Sequence, residues 1–126
     1  MEKKKILVVD DEPEIVEMLR MSLETASYEV VVAYNGQEGI EMAKKERPDA
    51  IIMDIMMPEK DGFTAVKELK NDPDYAEIPI LVLTAFSEHM ANTRYAKSMG
   101  LELEAEDYID KPVDPNLLLD RLAKFL

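Results

Sequence analysis

AIIMDIMMPEKDG (residues 50–62) opens as an apolar run, Ala50 to Met53, and stops at a single acid, Asp54. A second apolar patch follows, then Pro58, Asp61 and Gly62. A run that is apolar at every position lacks the alternation of a strand with one wet face. It reads as a strand buried on both faces, as in a parallel sheet. Similar β-rich runs fall at residues 6–9, 30–33 and 80–83, with a shorter one at 108–109.

Helical spacing fills the intervals. Ile15, Met18, Leu19 and Leu23 form one apolar stripe. Ile40 with Ala43, and Val66 with Leu69, mark the next two. A weaker pattern runs through Met90, Ala91, Arg94, Tyr95 and Met99 to a stop at Gly100, and Leu118, Leu122 and Phe125 close the chain. Pro13 and Pro115 sit where a first helical turn tolerates proline. Five strands alternating with five helices predict an α/β, flavodoxin-like doubly wound (βα)5 three-layer sandwich, with a parallel sheet in the order 2-1-3-4-5.

Composition bounds the function. The chain has 126 residues, of which 47% are hydrophobic, which predicts one domain spanning residues 1–126. Cysteine is absent, which excludes disulfides and thiolate metal sites and suits a cytoplasmic location. No apolar run approaches the ~20 residues of a membrane span, and residues 6–9 are too short for a signal-peptide core. Fifteen basic residues face 27 acidic ones, for a net charge of −12. Such a surface is repelled by nucleic acid and anionic membranes, so no direct nucleic-acid binding and no membrane contact are expected. The cluster Lys3-Lys4-Lys5 reads as a solvated lead-in.

The acids gather where the strands end. Strand 1 runs into Asp10-Asp11-Glu12, strand 3 into Asp54, strand 4 into Thr84-Ala85 and strand 5 into Lys111-Pro112. In an open parallel sheet, ligand sites form beyond the carboxyl ends of the strands, where strand order reverses. In the order 2-1-3-4-5 that point lies between strands 1 and 3. Singly, these residues have plainer readings. Asp11 or Glu12 could cap the first helix, Asp54 could make an Asx turn, Thr84 could be an ordinary strand residue and Lys111 a surface lysine. Together they make a constellation. Two like charges ~4 Å apart repel by about 4 kcal/mol at an effective dielectric of about 20. A hard divalent cation with oxygen ligands offsets this, and Mg2+ suits a few carboxylates plus waters. An aspartate oxygen beside Mg2+, a lysine and a hydroxyl are the parts phosphoryl transfer requires.

The segments ILVVDDE (6–12), DIMMPEKDG (54–62), ILVLTA (80–85) and DYIDKP (107–112) resemble the receiver domain of two-component response regulators, and the resemblance spans essentially the whole chain. It implies that Asp54 is the phosphoacceptor. It implies that Asp11, Asp54 and the backbone carbonyl of Met56 hold Mg2+ (or Mn2+), with Asp10 acting mostly through metal-bound water. Thr84 then hydrogen-bonds the phosphoryl group and Lys111 pairs with it. Lys111–Pro112 is expected to be a cis peptide. Ala85 is small beside the incoming group, Pro58 and Gly62 shape the loop after Asp54, and Tyr108 turns inward as Thr84 moves. The implied donor is a sensor histidine kinase or phosphotransfer protein, docking near the first helix.

The segment LELE (101–104) reads as about four residues more than the family pattern expects between helix and strand. It falls on the face built from the fourth helical pattern, the fifth strand and the closing helix, the usual output surface. The output partner is therefore unspecified, and a phosphorylation-linked dimer is left open. Met1 and the lysine lead incline the reading to a stand-alone regulator over a receiver cut from a longer protein.

Two other classes compete with this reading. A Mg2+-dependent phosphatase of the haloacid-dehalogenase type wants a second Asp two residues after its nucleophile, where Met56 stands, and a capping insertion that is missing. A flavodoxin-like binding module predicts no modification at all. No G-x-G-x-x-G follows strand 1 and no P-loop is present, and His89 reads as a helix-surface residue.

Met56 and Phe86 should flank the path of the water that hydrolyses the acyl phosphate. Both are bulky and apolar, which predicts slow self-dephosphorylation. Met56→Asn combined with Phe86→Ser should shorten the phosphorylated lifetime several-fold, followed by the decay of the phosphorylated mass. An unchanged lifetime rejects the assignment.

Overall fold

The computed structural model describes residues 3–55, 57, 61–84 and 105–126, Asp61 by its backbone alone. Its elements run β1 (Lys5–Val9), α1 (Pro13–Thr25), β2 (Glu29–Ala33), α2 (Gly36–Glu46), β3 (Ala50–Asp54), α3 (Asp61–Asn71), β4 (Ile80–Thr84), β5 (Asp107–Asp110) and a closing helix α4 (Pro115–Ala123). The five strands form one parallel sheet in the order β2-β1-β3-β4-β5. This is the flavodoxin-like fold, and the strand order agrees with the expectation from the sequence. The fourth helical pattern through Met90, Tyr95 and Met99, with His89, Gly100 and residues 101–104, lies outside the described residues.

Burial on both faces explains the unbroken apolar runs. Leu7, Val9, Ile51, Met53, Ile80 and Val82 point to one face, where Ile40, Ala43, Val66 and Leu69 of α2 and α3 cover them. Ile6, Val8, Ile52, Leu81 and Leu83 point to the other, against Leu19 and Leu23 of α1 and Leu118 and Leu122 of α4. Successive strand residues therefore enter different cores, and neither tolerates a polar side chain.

Helix boundaries follow from local chemistry. Pro13 and Pro115 open α1 and α4, where no amide hydrogen is needed. Asn35 caps α2. Its Oδ1 accepts from the Glu38 amide at 2.9 Å, and its Nδ2 donates to Glu38 Oε2 at 2.8 Å. Arg47 ends α2 in the left-handed region, φ 45°. Asp114 caps α4 through the Asn116 amide at 3.0 Å.

The strands are longer than their apolar cores. β3 takes in Asp54, paired in register with Leu83, and β4 takes in Thr84, paired with Asp110. Backbone pairing continues past the last apolar side chain because the ladder uses only peptide groups. β2 is an edge strand, and its Val30, Val31 and Val32 are only half-buried.

At the end of the sheet away from Asp54, Lys70 forms a clasp. Its Nζ donates to the carbonyls of Ala76 and Ile78 at 3.0 Å and to Glu106 Oε2 at 2.8 Å. Glu106 Oε1 in turn accepts from the Ile80 amide at 2.7 Å. The last turn of α3 is thus tied to the starts of β4 and β5.

Leu81→Ala should cost about 2–5 kcal/mol in urea unfolding, because a buried leucine leaves a cavity in a core that relaxes only in part. Met21→Ala, at a side chain 61% exposed, should stay within about 0.5 kcal/mol. Equal effects at the two positions would overturn the assignment of Leu81 to the core.

Candidate functional site

Five side chains, those of Asp10, Asp11, Glu12, Asp54 and Lys111, converge beyond the carboxyl ends of β1, β3 and β5, with Thr84 at the adjoining end of β4. Asp10 follows β1, and its amide donates to the Ala33 carbonyl at 3.2 Å, so the β1–β2 ladder carries it to the sheet's rim. Asp54 is the last residue of β3 and Thr84 the last of β4. All three are buried. Lys111 directly follows β5. Its amide donates to the Thr84 carbonyl at 2.9 Å, which fixes its backbone beside β4. Glu12, at the start of α1, completes the group.

The lysine is shared. Lys111 Nζ stands 2.9 Å from Asp54 Oδ2, 3.5 Å from Glu12 Oε1 and 3.6 Å from Asp10 Oδ2. Burial lowers its pKa, but the bond to Asp54 and the charges of Asp10, Asp54 and Glu12 outweigh burial, and the net shift is upward. It is held firmly as the ammonium ion.

Asp10 is the strained member. Its Oδ1 accepts from the Glu12 amide at 2.9 Å, but its buried Oδ2 has no hydrogen-bond partner. Burial pushes its pKa from near 3.8 up to about 7. The Glu12 amide and Lys111 oppose the shift, and the nearby Asp54 charge adds to it. An orphaned, fully buried carboxylate oxygen is the kind of group a cation satisfies. Asp10, Asp11, Glu12 and Asp54 each offer a carboxylate oxygen, and these oxygens lie within 4.8 Å of one another. The donor set is all oxygen and suits a hard divalent cation. The residues present fit such an ion.

Gly62 has a steric duty. A Cβ there would collide with the Asp54 carbonyl oxygen and come within 3.0 Å of the Asp54 carbonyl carbon and the Ile55 Cα. The absence of a side chain lets α3 begin against the backbone that carries Asp54. Tyr108 is paired in register with Val82 and packs on the core face shared with α2 and α3. Burial, then the Glu106 charge, raises its hydroxyl pKa. The Lys111–Pro112 peptide is cis.

The structure thus brings together Asp10, Asp11, Asp54 and Lys111, with Thr84 on the adjoining strand end and Gly62 behind Asp54. Met56, Pro58, Ala85 and Phe86 lie outside the described residues. Glu12 differs from the capping role considered for it. It occupies the N-cap position of α1, yet its side chain makes no capping hydrogen bond. It leans toward Lys111 instead. The run Asp10-Asp11-Glu12 was the available signal, but side-chain direction at a helix start is not written in the spacing.

Comparison with known proteins gives a consistent picture. Residues 6–123 match the model of the response regulator receiver domain. The chain is 42% identical over 123 residues to the alkaline phosphatase synthesis transcriptional regulatory protein PhoP of Bacillus subtilis, covering 98% of this chain and 48% of that protein. It is 37% identical over 122 residues to the DNA-binding dual master transcriptional regulator RpaA of Synechocystis, covering 97% and 48%. The chain therefore spans about half the length of these curated relatives. Among solved structures, the chemotaxis response regulator CheY4 of Vibrio cholerae superposes with a TM-score of 0.83 at 35% identity, covering 99% of this chain and 100% of that one. The signal receiver domain of a histidine kinase from Syntrophus aciditrophicus superposes at 0.84, also with 35% identity, covering 98% and 89%.

The raised pKa of Asp10 has a sign that can be tested. The folded protein binds this proton more tightly than the unfolded chain, so the group's contribution to stability is full below about pH 4 and is lost as the pH rises through about 7. In EDTA, the stability of Asp10→Asn relative to wild type should therefore grow across that window in urea titrations. Excess divalent cation should abolish the growth. A difference that stays flat with pH would contradict the buried, unsatisfied state of Asp10.

Proposed function

The chain belongs to the family of response regulator receiver domains, and on that premise we propose that it is a phosphorylation-activated signalling switch with Asp54 as phosphoacceptor. The donor is a phosphohistidine on a sensor histidine kinase or phosphotransfer protein. What carries the reading is the 2.9 Å contact between Lys111 Nζ and Asp54 Oδ2, inside a cluster of carboxylates that repel one another.

Asp11, Asp54 and the Met56 carbonyl are the residues that would hold Mg2+ (or Mn2+), with Asp10 acting through water. The ion would supply neutralisation of the negative charge that develops on the phosphoryl oxygens. The chain's own groups do the rest. Asp54 Oδ attacks phosphorus in line with the leaving imidazole. Its strand-end position fixes the attack direction, and burial keeps bulk water from competing. Lys111 pairs with the new phosphoryl group, and the Thr84 hydroxyl hydrogen-bonds to it. The product carries about two negative charges at pH 7 where Asp54 carried one.

The modification acts by population shift. Thr84 and Lys111 interact better with the phosphoryl group in one arrangement of the strand ends, and Tyr108, on the neighbouring strand, repacks with them. The readout surface is β5 and α4 together with the segment expected to form the fourth helix, and it serves an output protein or a second phosphorylated copy. With a net charge of −12 the chain itself contacts no nucleic acid. Its turnover is that of a self-modifying switch, with slow loss of the phosphoryl group. The place of action is the cytoplasm. In keeping with it, cysteine is absent and no helix among the described residues is long and apolar enough to cross a membrane.

Incubation with acetyl phosphate and Mg2+ should add one phosphoryl group to the intact mass. Asp54→Asn should add none, and EDTA should prevent the gain. Labelling of Asp54→Asn equal to wild type would overturn the assignment.

A further inference from the structure

Glu12 is the fourth carboxylate of the cluster, and neither the proposed function nor helix capping employs it. Its Oε1 lies 3.5 Å from Lys111 Nζ, and its side chain is 58% exposed, whereas Lys111 is 16% exposed and Asp10 and Asp54 are fully buried. It therefore sits on the solvent side of the group that a donor must reach. We propose that Glu12 is a specificity-determining residue of the Asp54 site, a fixed negative charge at its mouth that selects against small, doubly charged phosphodonors. This rests on the reading of Asp54 as phosphoacceptor.

Charge balance leads to the same residue. Among the described residues, four carboxylates converge and Lys111 is the cation paired with them. A divalent cation at Asp10, Asp11 and Asp54 offsets two charges and Lys111 a third. One negative charge is left over, and on the proposed reading Glu12 is the carboxylate that does not hold the ion. The orphaned Oδ2 of buried Asp10 is the independent sign that an ion is expected there. Glu12 also competes for Lys111, which an arriving phosphoryl group has to recruit.

Coulomb repulsion scales with the charge of the incoming donor. A dianion such as acetyl phosphate pays twice what a singly charged donor such as phosphoramidate pays. A protein donor offsets the repulsion with its own docking contacts. The chemistry is the same for both small donors. The Asp54 Oδ–P bond forms while the P–O bond to acetate, or the P–N bond to ammonia, breaks, and the leaving group keeps the electron pair. Phosphoramidate already carries its proton on nitrogen, and acetate needs none.

The test compares labelling rates with acetyl phosphate and with phosphoramidate in saturating Mg2+ and low salt. Variants E12Q, E12A and E12K are checked for folding by circular dichroism. Glu12→Gln should speed acetyl phosphate labelling by about tenfold and phosphoramidate labelling by about threefold, so the ratio shifts, and added KCl should shrink the shift. E12K should extend the trend, and Glu12→Asp should restore the wild-type ratio. Glu24→Gln, the same charge removed at the far end of α1, should leave the ratio alone. Any folded neutral variant that changes both rates by one factor, or slows both, overturns the filter while leaving Asp54 as acceptor. Failure of both donors to label wild type would overturn the acceptor reading, and the filter with it.

Discussion

The site depends on one crowded electrostatic arrangement, two fully buried carboxylates, Asp10 and Asp54, held beside one lysine. Burial disfavours each charge, and proximity adds repulsion. Lys111 relieves part of this and is itself held charged by the acids around it. Asp10 shows the remainder, with one oxygen unsatisfied. A protein that selected only for stability would replace such a residue with an apolar one. Keeping it leaves one buried oxygen unsatisfied in the folded state, which a bound cation would relieve.

The rest of the chain is built to tolerate that cost. Every strand except the edge strand β2 and the short β5 is buried along nearly its whole length, so two cores grip the sheet from opposite faces. Gly62 lets α3 start directly against the Asp54 carbonyl, and Lys70 ties the other end of α3 to the entry of β4 and β5. α3 is thus set close against Asp54 at one end and hydrogen-bonded toward β4 and β5 at the other.

Much of this was legible because it follows from periodicity and topology. Double-faced burial makes the strands unbroken apolar runs, and the order 2-1-3-4-5 then places the residues after strands 1, 3, 4 and 5 together whatever their identities. Asp54, Thr84 and Lys111 could be found that way. The ends of β5 could not, because Asp107 and Asp110 join the ladder through peptide groups that no side-chain pattern reports. Glu12 was misleading for another reason. An acid at a helix start has two competing partners, the free amides of the first turn and any cation nearby. Which one wins depends on Lys111, 99 residues away in sequence.

That distance bears on how a chemical change at Asp54 would be felt elsewhere. Lys111 is divided among three carboxylates at 2.9, 3.5 and 3.6 Å. On the proposed reading, a phosphoryl group at Asp54 adds about one negative charge to one claimant only, so the division tilts toward Asp54. Lys111 does not move alone, since its amide is bonded to the Thr84 carbonyl and both belong to strand ends in one ladder. On the proposed reading, a redistribution of charge would be felt at the ends of β4 and β5, on the side where Tyr108 packs. Its reach is limited by the difference in interaction energy between the two arrangements. A population reversal from 1:99 to 99:1 needs about 5.5 kcal/mol, more than a single exposed ion pair provides. It lies within reach of a charge added to a site where the partners are buried and the ammonium is already in place.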